Sequence, residues 1–594
     1  MFLSVVAFFL GVGMALCVPW GAEAAGGDWR WEARGVEGLL KGAATSFAFS
    51  IAFFWAGRGA DSTRLFRKEA IAIVAFGWIL AIFLGATPYI WGGAELRPGV
   101  PATFVDAIFE SASGLTTTGA TVFGELENPA SLPRTLLFWR FATHFIGGLG
   151  VMCFFVALIG HGANGKAIMK LERGASGNAP FAKMRALAFS LFLIYVSLNA
   201  ACALLFWSCG VTVFDAIAHA FSTVATGGFS SRNAGVGAFA DDPNVNGVAF
   251  EIVTIIFMIV SSTNYGLLYW VAIGRPGKLA RDSEWRAYLA ILTAATVFVF
   301  ATGWANDDFR RDDVATEVVA KSTVATTERP APNEVATGEI ATRWGAAVGD
   351  GKETKGAATV AAACFEELTA KEALALNAEN GENRENGGIG EGDASWADAL
   401  RDSAFAVVSL ASGAGFATAR YEFWNPTALF VLAFVMFWGG CSASTAGGAK
   451  IYRFVLVGKA LARAAELTRS PNVVRATRYN GEILEKETLN AVSIYLISLL
   501  SLICATTFAT LLLEPDAPWA DAAAPRIEKL TDLAGAALSM FSNVGPAFGK
   551  MGAFENYGFL SAPTKFLYAC ATLTGRLEIW VVLAIFAPGF WRRG

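Results

Sequence analysis

The sequence predicts an all-α integral membrane protein in which four pseudo-repeated helix–pore-loop–helix units surround a pore, preceded by two further helices. Three observations support this fold class. The chain is 54% hydrophobic and only 16% charged, with a mean hydropathy of +0.47. Uncharged apolar runs of about 20 residues, enough to cross a bilayer as helix, recur along the whole chain. Four segments between such runs share one pattern that begins with Asp and ends with Gly.

Ten apolar runs are candidate transmembrane helices. They lie near residues 1–20, 39–55, 70–91, 136–159, 184–209, 248–273, 285–304, 427–440, 489–513 and 564–586. The first run precedes Ala22–Ala25, which also resembles a signal-peptidase site, but no Lys or Arg comes before it. We therefore expect a retained helix there.

Positive charges predict the orientation, because Lys and Arg are enriched in cytoplasmic loops. They cluster in alternate loops, at residues 58–68, 166–185, 275–286 and 450–486, and again in the C-terminal Arg592 and Arg593. The C-terminus is therefore expected in the cytoplasm. The segments that carry the Asp-to-Gly pattern are expected to face outward.

The units divide the chain into five predicted regions. They are residues 1–63, with the two N-terminal helices, and the repeats at 64–165, 166–278, 279–460 and 461–594. The third repeat contains residues 306–398, an acidic stretch with little periodicity that we expect to be an outward-facing, largely disordered insertion.

Composition excludes several classes of function. A net charge of −4 and the lack of a basic block argue against nucleic-acid binding. The cysteines lack metal-ligand spacing, and the three scattered histidines cannot build a metal site by themselves. No nucleophile–base motif indicates an enzyme or an enzymatic cofactor.

The four patterned segments run from Asp106 to Gly119, Asp215 to Gly227, Asp402 to Gly415 and Asp532 to Gly545. The glycine follows the aspartate by 13 residues in three segments and by 12 in the second. We interpret each as a helix of about nine residues, roughly 13 Å long and too short to span a bilayer, with the Asp as its N-cap. Its partially negative C-terminal end would point inward and favour a cation.

Glycine at the end of each helix permits backbone angles that turn carbonyl oxygens inward, where they can replace an ion's hydration shell. The predicted selectivity filter for a cation therefore consists of these residues: Thr117, Thr118, Gly119, Ala225, Thr226, Gly227, Ala414, Gly415, Asn543, Val544 and Gly545. The third segment has Gly413-Ala414, without the hydroxyl side chains of Thr117-Thr118 in the first segment, which leaves the strictness of ion discrimination open.

Seven stretches resemble the Trk/Ktr/HKT superfamily of potassium transporters, and within it the TrkH-like pore-forming subunits of bacteria. They are Gly114-LTTTGATVF, Phe138-WRFATHFIGGLGVM, Phe221-STVATGGFS, Gly413-AGFATA, Gly439-GCSASTAGGAK, Asn543-VGPAFG and Thr574-GRLEIWVVLAIFAPGFW. The resemblance implies potassium uptake across the cytoplasmic membrane, with K⁺ as the transported ion bound in the filter. It also implies a homodimer in the lipid bilayer and a cytosolic, nucleotide-binding regulatory ring similar to TrkA.

Small and polar residues interrupt the second helix of the third repeat. They are Gly439, Gly440, Ser442, Ser444, Thr445, Gly447 and Gly448, with Lys450 at the end. Such a stretch must line a cavity or pack on protein, and a tightly packed helix crossing is the alternative. The resemblance implies an intramembrane gating loop beneath the filter.

Arg576 lies about 11 residues after Lys565, on the order of 16 Å into the last span, where a charge predicts function. The resemblance implies an electrostatic barrier under the filter. The structural alternative is a buried pair with Glu578 or with carbonyls of the gating loop. Arg140 and His144 in the first repeat are interpreted as packing or interface residues.

Two other functions remain open. The same pore could conduct sodium or couple potassium to sodium or protons. An alternating-access solute transporter would instead show inverted repeats with helix N-termini facing the substrate. The four segments repeat in the same direction with their C-terminal ends inward, which disfavours that alternative.

Overall fold

The computed structural model describes residues 2–23, 29–59, 67–159, 184–240, 242–309, 395–470, 472, 477–484, 486–520, 522, 524–577, 579–587 and 590–591. The chain divides into two units, one made of Met1–Asn306 with Leu400–Gly594 and the other of Asp307–Ala399. Most of the predicted 306–398 insertion lies outside the described residues, as do residues 166–183 of the predicted basic loop at 166–185 and Glu578.

In the part of the chain that the structure describes, the fold is all-α, as predicted, apart from two short antiparallel hairpins. The helices are α1 (Phe2–Cys17), α2 (Trp20–Glu23), α3 (Trp29–Ala56), α4 (Arg67–Trp91), α5 (Phe104–Leu115), α6 (Arg134–Ile159), α7 (Met184–Ser208), α8 (Val213–Val224), α9 (Gly247–Ser261), α10 (Tyr265–Ala272), α11 (Gly277–Ala280), α12 (Ser283–Ala305), α13 (Trp396–Ser412), α14 (Pro426–Trp438), α15 (Ile451–Arg469), α16 (Lys486–Leu513), α17 (Pro525–Ser542), α18 (Ala562–Arg576) and α19 (Ile579–Phe586). The hairpins pair β1 (Glu95–Arg97) with β2 (Val100–Pro101) and β3 (Arg478–Tyr479) with β4 (Glu482–Ile483).

Five helices in the described part of the chain are long and apolar enough to cross a membrane. They cover Glu32–Ala56, Ile71–Trp91, Phe189–Ser208, Ser283–Ala305 and Glu487–Leu513. The pair α9 and α10 is a sixth candidate, bent by 105° at its break. The sequence pattern predicts one continuous span there, so the break is a correction. The remaining predicted runs form helices that are shorter, interrupted or only partly described.

Four helices precede the patterned glycines, and we call α5, α8, α13 and α17 the re-entrant helices. Thr103 caps α5 in a capping box with Asp106, and Thr212 caps α8 by accepting the N–H of Asp215. Asp106 and Asp215, which were predicted as N-caps, are therefore the third residues of α5 and α8. The helices α13 and α17 begin well before their aspartates, so the re-entrant helices have 12 to 18 residues instead of about nine.

Two hydrophobic cores of the described residues include three of the four re-entrant helices, α5, α8 and α17. One core joins the N-terminal helices α1 and α3 to α4, α5 and α6, with the fully buried Trp139 among its residues. The other joins α16, α17 and α18 around residues such as Leu533 and Tyr568. The last residue of each re-entrant helix is buried, so all four helices end in the protein interior.

Candidate functional site

All four re-entrant helices end in the same backbone turn. The first residue of each turn is left-handed, with φ of 51°, 55°, 74° and 53° at Thr117, Thr226, Gly413 and Asn543. Its N–H bonds the carbonyl three residues back, and the next N–H bonds the carbonyl five residues back, which belongs to Ser113, Ser222, Ser409 or Ser539. These two bonds form a Schellman motif at each helix end. The sequence contains a serine six residues before each turn glycine, a signal that identifies the register of all four turns.

Each turn ends at a glycine with positive φ. The values are 84° at Gly119, 82° at Gly228, 68° at Gly415 and 101° at Gly545. The second of these is Gly228 and not Gly227, so the predicted register of the second segment is wrong by one residue. With Gly228, the glycine follows the aspartate by 13 residues in all four segments.

The four turns close into a ring. A Cβ added to any turn glycine would overlap a carbonyl oxygen of the next turn. The overlaps are Gly119 with Gly227, Gly228 with Ala414, Gly415 with Val544 and Gly545 with Thr118. Each carbonyl belongs to the residue just before a turn glycine. The four backbones therefore approach each other at equivalent positions, and only glycine fits there.

Two of the left-handed residues are β-branched. Thr117 and Thr226 are completely buried, and a β-branched residue at positive φ is rare because its side chain crowds the backbone. Such strain, on the order of 1–3 kcal/mol, persists only where the surroundings fix the conformation. The turns are therefore held by their packing and not by local preference.

A cavity of about 70 Å³ lies against the ring, bordered by Gly119, Gly228 and Gly415. Charged and polar residues also line it, including Arg232 and Glu555. At its rim the Glu422 carboxylate accepts the Ala553 N–H at 3.4 Å, and burial raises the pKa of that carboxyl group above its ordinary value.

The chain between α14 and α15, residues 439–450, lies against the ring, and we call it the 439–450 loop. A Cβ on Gly447 would overlap the carbonyl oxygen of Ser542 at the end of α17. The Thr445 hydroxyl lies 3.1 Å from two carbonyl oxygens, those of Val224 at the end of α8 and Ser261 at the end of α9. The loop thus contacts the helix ends of two repeats.

The loop also bonds to the break between α9 and α10. The Cys441 N–H donates to the Ser262 carbonyl at 3.0 Å, and the Tyr265 N–H donates to the Ala443 carbonyl at 3.1 Å. Glu284 accepts the backbone N–H of Ser442 at 2.5 Å and its hydroxyl at 2.7 Å. Because these contacts come from α9, α10 and α12, the loop has one fixed position.

Arg576 ends α18 beside the loop. Its Nη1 donates to the Thr445 carbonyl at 2.7 Å, and the residue is only 8% exposed. Its Nε and Nη2 atoms have no hydrogen-bond partner in the part of the chain that the structure describes. Of the two predicted structural alternatives, a bond to a loop carbonyl is present, while Glu578 lies outside the described residues. A buried positive charge thus lies on the loop side of the ring.

The remaining predicted residues of the loop have structural contacts. The Ser444 hydroxyl donates to the Cys441 carbonyl, and Lys450 donates to the Ala446 carbonyl from a backbone with φ of 70°. Gly439 and Gly448 pack against each other, each with positive φ. Gly440 packs against Ser262 at the helix break.

Two residues interpreted as packing groups bond to residues that flank the turns. Arg140 forms a buried ion pair with Glu110 at 2.7 Å, and Glu110 accepts the Val122 N–H just after the first turn. His144 bridges the first turn and the second, through Gly114 and Phe229. Both residues lie on α6, and their sequence positions did not reveal these contacts, because the contacts form between separate elements.

Comparisons with known proteins agree with this architecture. Residues 39–303 and 392–592 match the TrkH family, described as cation transport proteins. The chain is 27% identical over 562 residues to the Trk system potassium uptake protein TrkH of Salmonella typhimurium, covering 92% of this chain and 90% of that protein. It is 28% identical over 542 residues to the same protein of Halomonas elongata, covering 89% and 86%.

A solved structure has the same fold. The crystal structure of the potassium transporter TrkH from Vibrio parahaemolyticus superimposes with a TM-score of 0.72 at 23% sequence identity. The match covers 100% of this chain and 99% of that one.

Proposed function

Because this chain belongs to the TrkH family of cation transport proteins, we propose that it takes up potassium across the cytoplasmic membrane through the ring of four turns. The observation that carries this proposal is the closed ring itself, in which four helix C-termini and four positive-φ glycines meet at equivalent positions. Helix C-termini carry partial negative charge and favour a cation. The names of the relatives, which are potassium uptake proteins, support potassium as that cation.

The proposed filter consists of backbone carbonyls. Those of Thr118, Gly227, Ala414 and Val544 lie where the turns touch, and we assign them the role of replacing the hydration shell of the ion. The left-handed residues before them set the direction of the chain. The proposed filter therefore includes the eleven residues predicted from sequence. It also includes Gly228, the glycine that ends the second turn, and Gly413, the left-handed residue of the third turn.

The 439–450 loop serves as the gate in this proposal. It lies against the helix ends, and its contacts with Glu284, Ser262 and Val224 hold it there. Arg576 adds a positive charge that repels a cation leaving the filter. Opening would require the loop to leave these contacts, and the two Arg576 donor atoms that lack a partner among the described residues could then bond other acceptors.

A cytosolic regulator would drive that opening. The relatives are named as parts of a Trk system, and we propose that this chain forms a homodimer bound to a nucleotide-binding, TrkA-like ring. The C-terminus and the positively charged loops would face the cytoplasm, as the distribution of Lys and Arg predicts. We expect the chain to co-purify with such a regulatory protein, and we expect this binding to require the cytoplasmic loops.

Growth and flux test the transport proposal together. The chain should restore growth of a potassium-uptake-deficient bacterium at low potassium. In proteoliposomes it should carry potassium or rubidium faster than sodium, and Gly228→Ala, expressed to the same level, should lose that preference. Flux under imposed potassium, sodium and proton gradients separates passive from coupled transport. Sodium uptake with neither potassium nor rubidium uptake would contradict the proposal.

A further inference from the structure

His144 holds a fixed position between two turns of the ring. Its Nδ1 lies 2.8 Å from the Gly114 carbonyl at the end of α5, and its Nε2 lies 3.3 Å from the Phe229 backbone N–H just after the second turn. A carbonyl only accepts and a backbone N–H only donates, so the His144 imidazole is neutral and carries its proton on Nδ1. The imidazole also stacks on the Phe229 ring, with centroids 4.1 Å apart.

The same imidazole occupies the space of a missing side chain. A Cβ on Gly227 would meet the His144 ring, at 2.6 Å from Cγ and 2.7 Å from Nδ1. The equivalent residues of the other turns, Thr118, Ala414 and Val544, carry side chains. The φ of Gly227 is not positive, so its backbone does not itself require glycine. The two adjacent glycines of the second turn are thus required for different reasons. Gly228 allows the four turns to close into a ring, and Gly227 leaves room for the imidazole.

We propose that His144 is a positioning residue that determines selectivity by holding the Gly227 carbonyl in the filter. This inference rests on the proposed function of the ring. Two consecutive glycines have the greatest backbone freedom of any dipeptide, so the second turn would be the least fixed of the four without an external support. His144 supplies that support through the space it fills and through its bond to Phe229. Discrimination between cations depends on the positions of the coordinating carbonyl oxygens.

A double-mutant cycle separates this role from general stability. In proteoliposomes, Gly227→Ala should lower the ratio of potassium to sodium flux at least about threefold, because the new methyl displaces the imidazole. His144→Ala should lower the ratio as well. The double variant H144A/G227A should recover most of the wild-type ratio, because the alanine methyl occupies the space that the imidazole vacates. His144→Gln, which can donate and accept at both positions, should retain more selectivity than His144→Leu.

Gly228 gives the matched control. A methyl at Gly228 meets the Ala414 carbonyl and not His144, so H144A should not rescue Gly228→Ala. His219→Leu is the second control, because His219 bonds the Asp215 carbonyl and the Ser230 hydroxyl, away from Gly227. That variant should keep the wild-type flux ratio.

The rise in melting temperature caused by potassium over that caused by sodium gives a second reading of the same cycle, independent of flux. A wild-type protein with neither potassium flux nor potassium-dependent stabilisation would overturn the proposed function. A selective wild-type protein whose two single variants combine additively, or whose Gly227→Ala variant is normal, would overturn the role of His144 alone.

Discussion

Arg576 is the residue at which charge and hydrogen bonding are most easily separated. It holds the Thr445 carbonyl through Nη1 while its other donors remain unpartnered within the described residues. At an effective dielectric constant of about 20, unit charges several ångströms apart repel by roughly 2–4 kcal/mol. A barrier role therefore depends on the charge, whereas a role in holding the loop depends only on one donor.

Substitutions at Arg576 should follow charge. Arg576→Gln retains a donor for the Thr445 carbonyl but is neutral, and we expect it to raise basal potassium flux about tenfold, the effect of about 1.4 kcal/mol. Arg576→Lys should stay near the wild-type flux, and Arg576→Ala should leak at least as much as the glutamine variant. Tracer efflux from proteoliposomes without the regulatory partner measures this directly.

The exposed Arg281 outside the site gives a control of equal charge change, and Arg281→Gln should leave basal flux unchanged. Equal basal flux in the wild-type protein and Arg576→Gln, at matched protein content, would remove the electrostatic barrier. A leak in Arg576→Lys equal to that of the glutamine variant would assign the role to arginine geometry instead.

Sequence could predict three of the four glycines of the ring but not the residues that start each turn. Glycine is the usual residue at a left-handed helix end, and only Gly413 follows that rule. Thr117 and Thr226 occupy a conformation that β-branched residues avoid, and tertiary packing imposes it. The register error at Gly227 has a related cause, because the imidazole that makes this residue glycine comes from another element.

At the scale of elements, two interrupted helices supply partners for each other's free backbone hydrogen-bonding groups. The break between α9 and α10 frees the Ser262 carbonyl and the Tyr265 N–H, and the 439–450 loop bonds both. Unpaired backbone at membrane depth is tolerated only where protein or a polar cavity satisfies it. Moving the loop would expose these groups, so the position of the loop in the structure is stabilised by backbone bonds as well as by Glu284.

Removing the Glu284 carboxylate should loosen the loop. Glu284→Ala leaves the Ser442 N–H and hydroxyl without their acceptor, at a cost of about 1–3 kcal/mol for buried groups, and we expect basal flux to rise several-fold. Glu284→Gln keeps a neutral acceptor and should have a smaller effect. Tracer flux and limited modification of a cysteine placed at Ser444 both report loop opening.

Two comparisons give this prediction its limits. Ser442→Ala removes only the hydroxyl bond and should fall between Glu284→Gln and the wild-type protein. Glu37, exposed on α3 and paired with Lys41, is the control carboxylate, and Glu37→Ala should leave flux unchanged. If Glu284→Ala leaves both basal flux and cysteine accessibility at wild-type values, the carboxylate does not hold the loop.

Helices were predictable where the length of an apolar run sets their bounds. They were not predictable where contacts with other elements interrupt them. The run at 285–304 became α12 with an aspartate cap at Asp282, close to the expected bounds. The run at 248–273 breaks because Asn264 caps a new helix by accepting the Gly266 N–H, and the loop satisfies the freed groups. The polar run from Ser261 to Asn264 was the only local sign of this break.

At the scale of the molecule, the ring joins parts of the chain that are far apart in sequence. Gly545 of the last repeat contacts the Thr118 carbonyl of the first, so the ring closes only when all four turns are present. The Asn543 amide bonds both the Thr118 hydroxyl at 3.0 Å and the Thr572 carbonyl at 2.8 Å across the same junction. The repeat pattern predicted four equivalent segments, but their cyclic order and this junction required the structure.

The turns, the loop and Arg576 all belong to the unit formed by Met1–Asn306 and Leu400–Gly594. Deleting residues 317–390 of the predicted insertion should therefore leave the ratio of potassium to sodium flux unchanged, because the contacts between described residues that close the ring all lie outside the deletion. The comparison requires reconstituted full-length and deleted chains at equal protein content, with Gly228→Ala as the variant that must lose selectivity in both backgrounds. A deleted chain with normal growth complementation but a lower flux ratio would assign the insertion a part in selectivity. An unchanged ratio with reduced total flux would instead confine its effect to ion access or assembly.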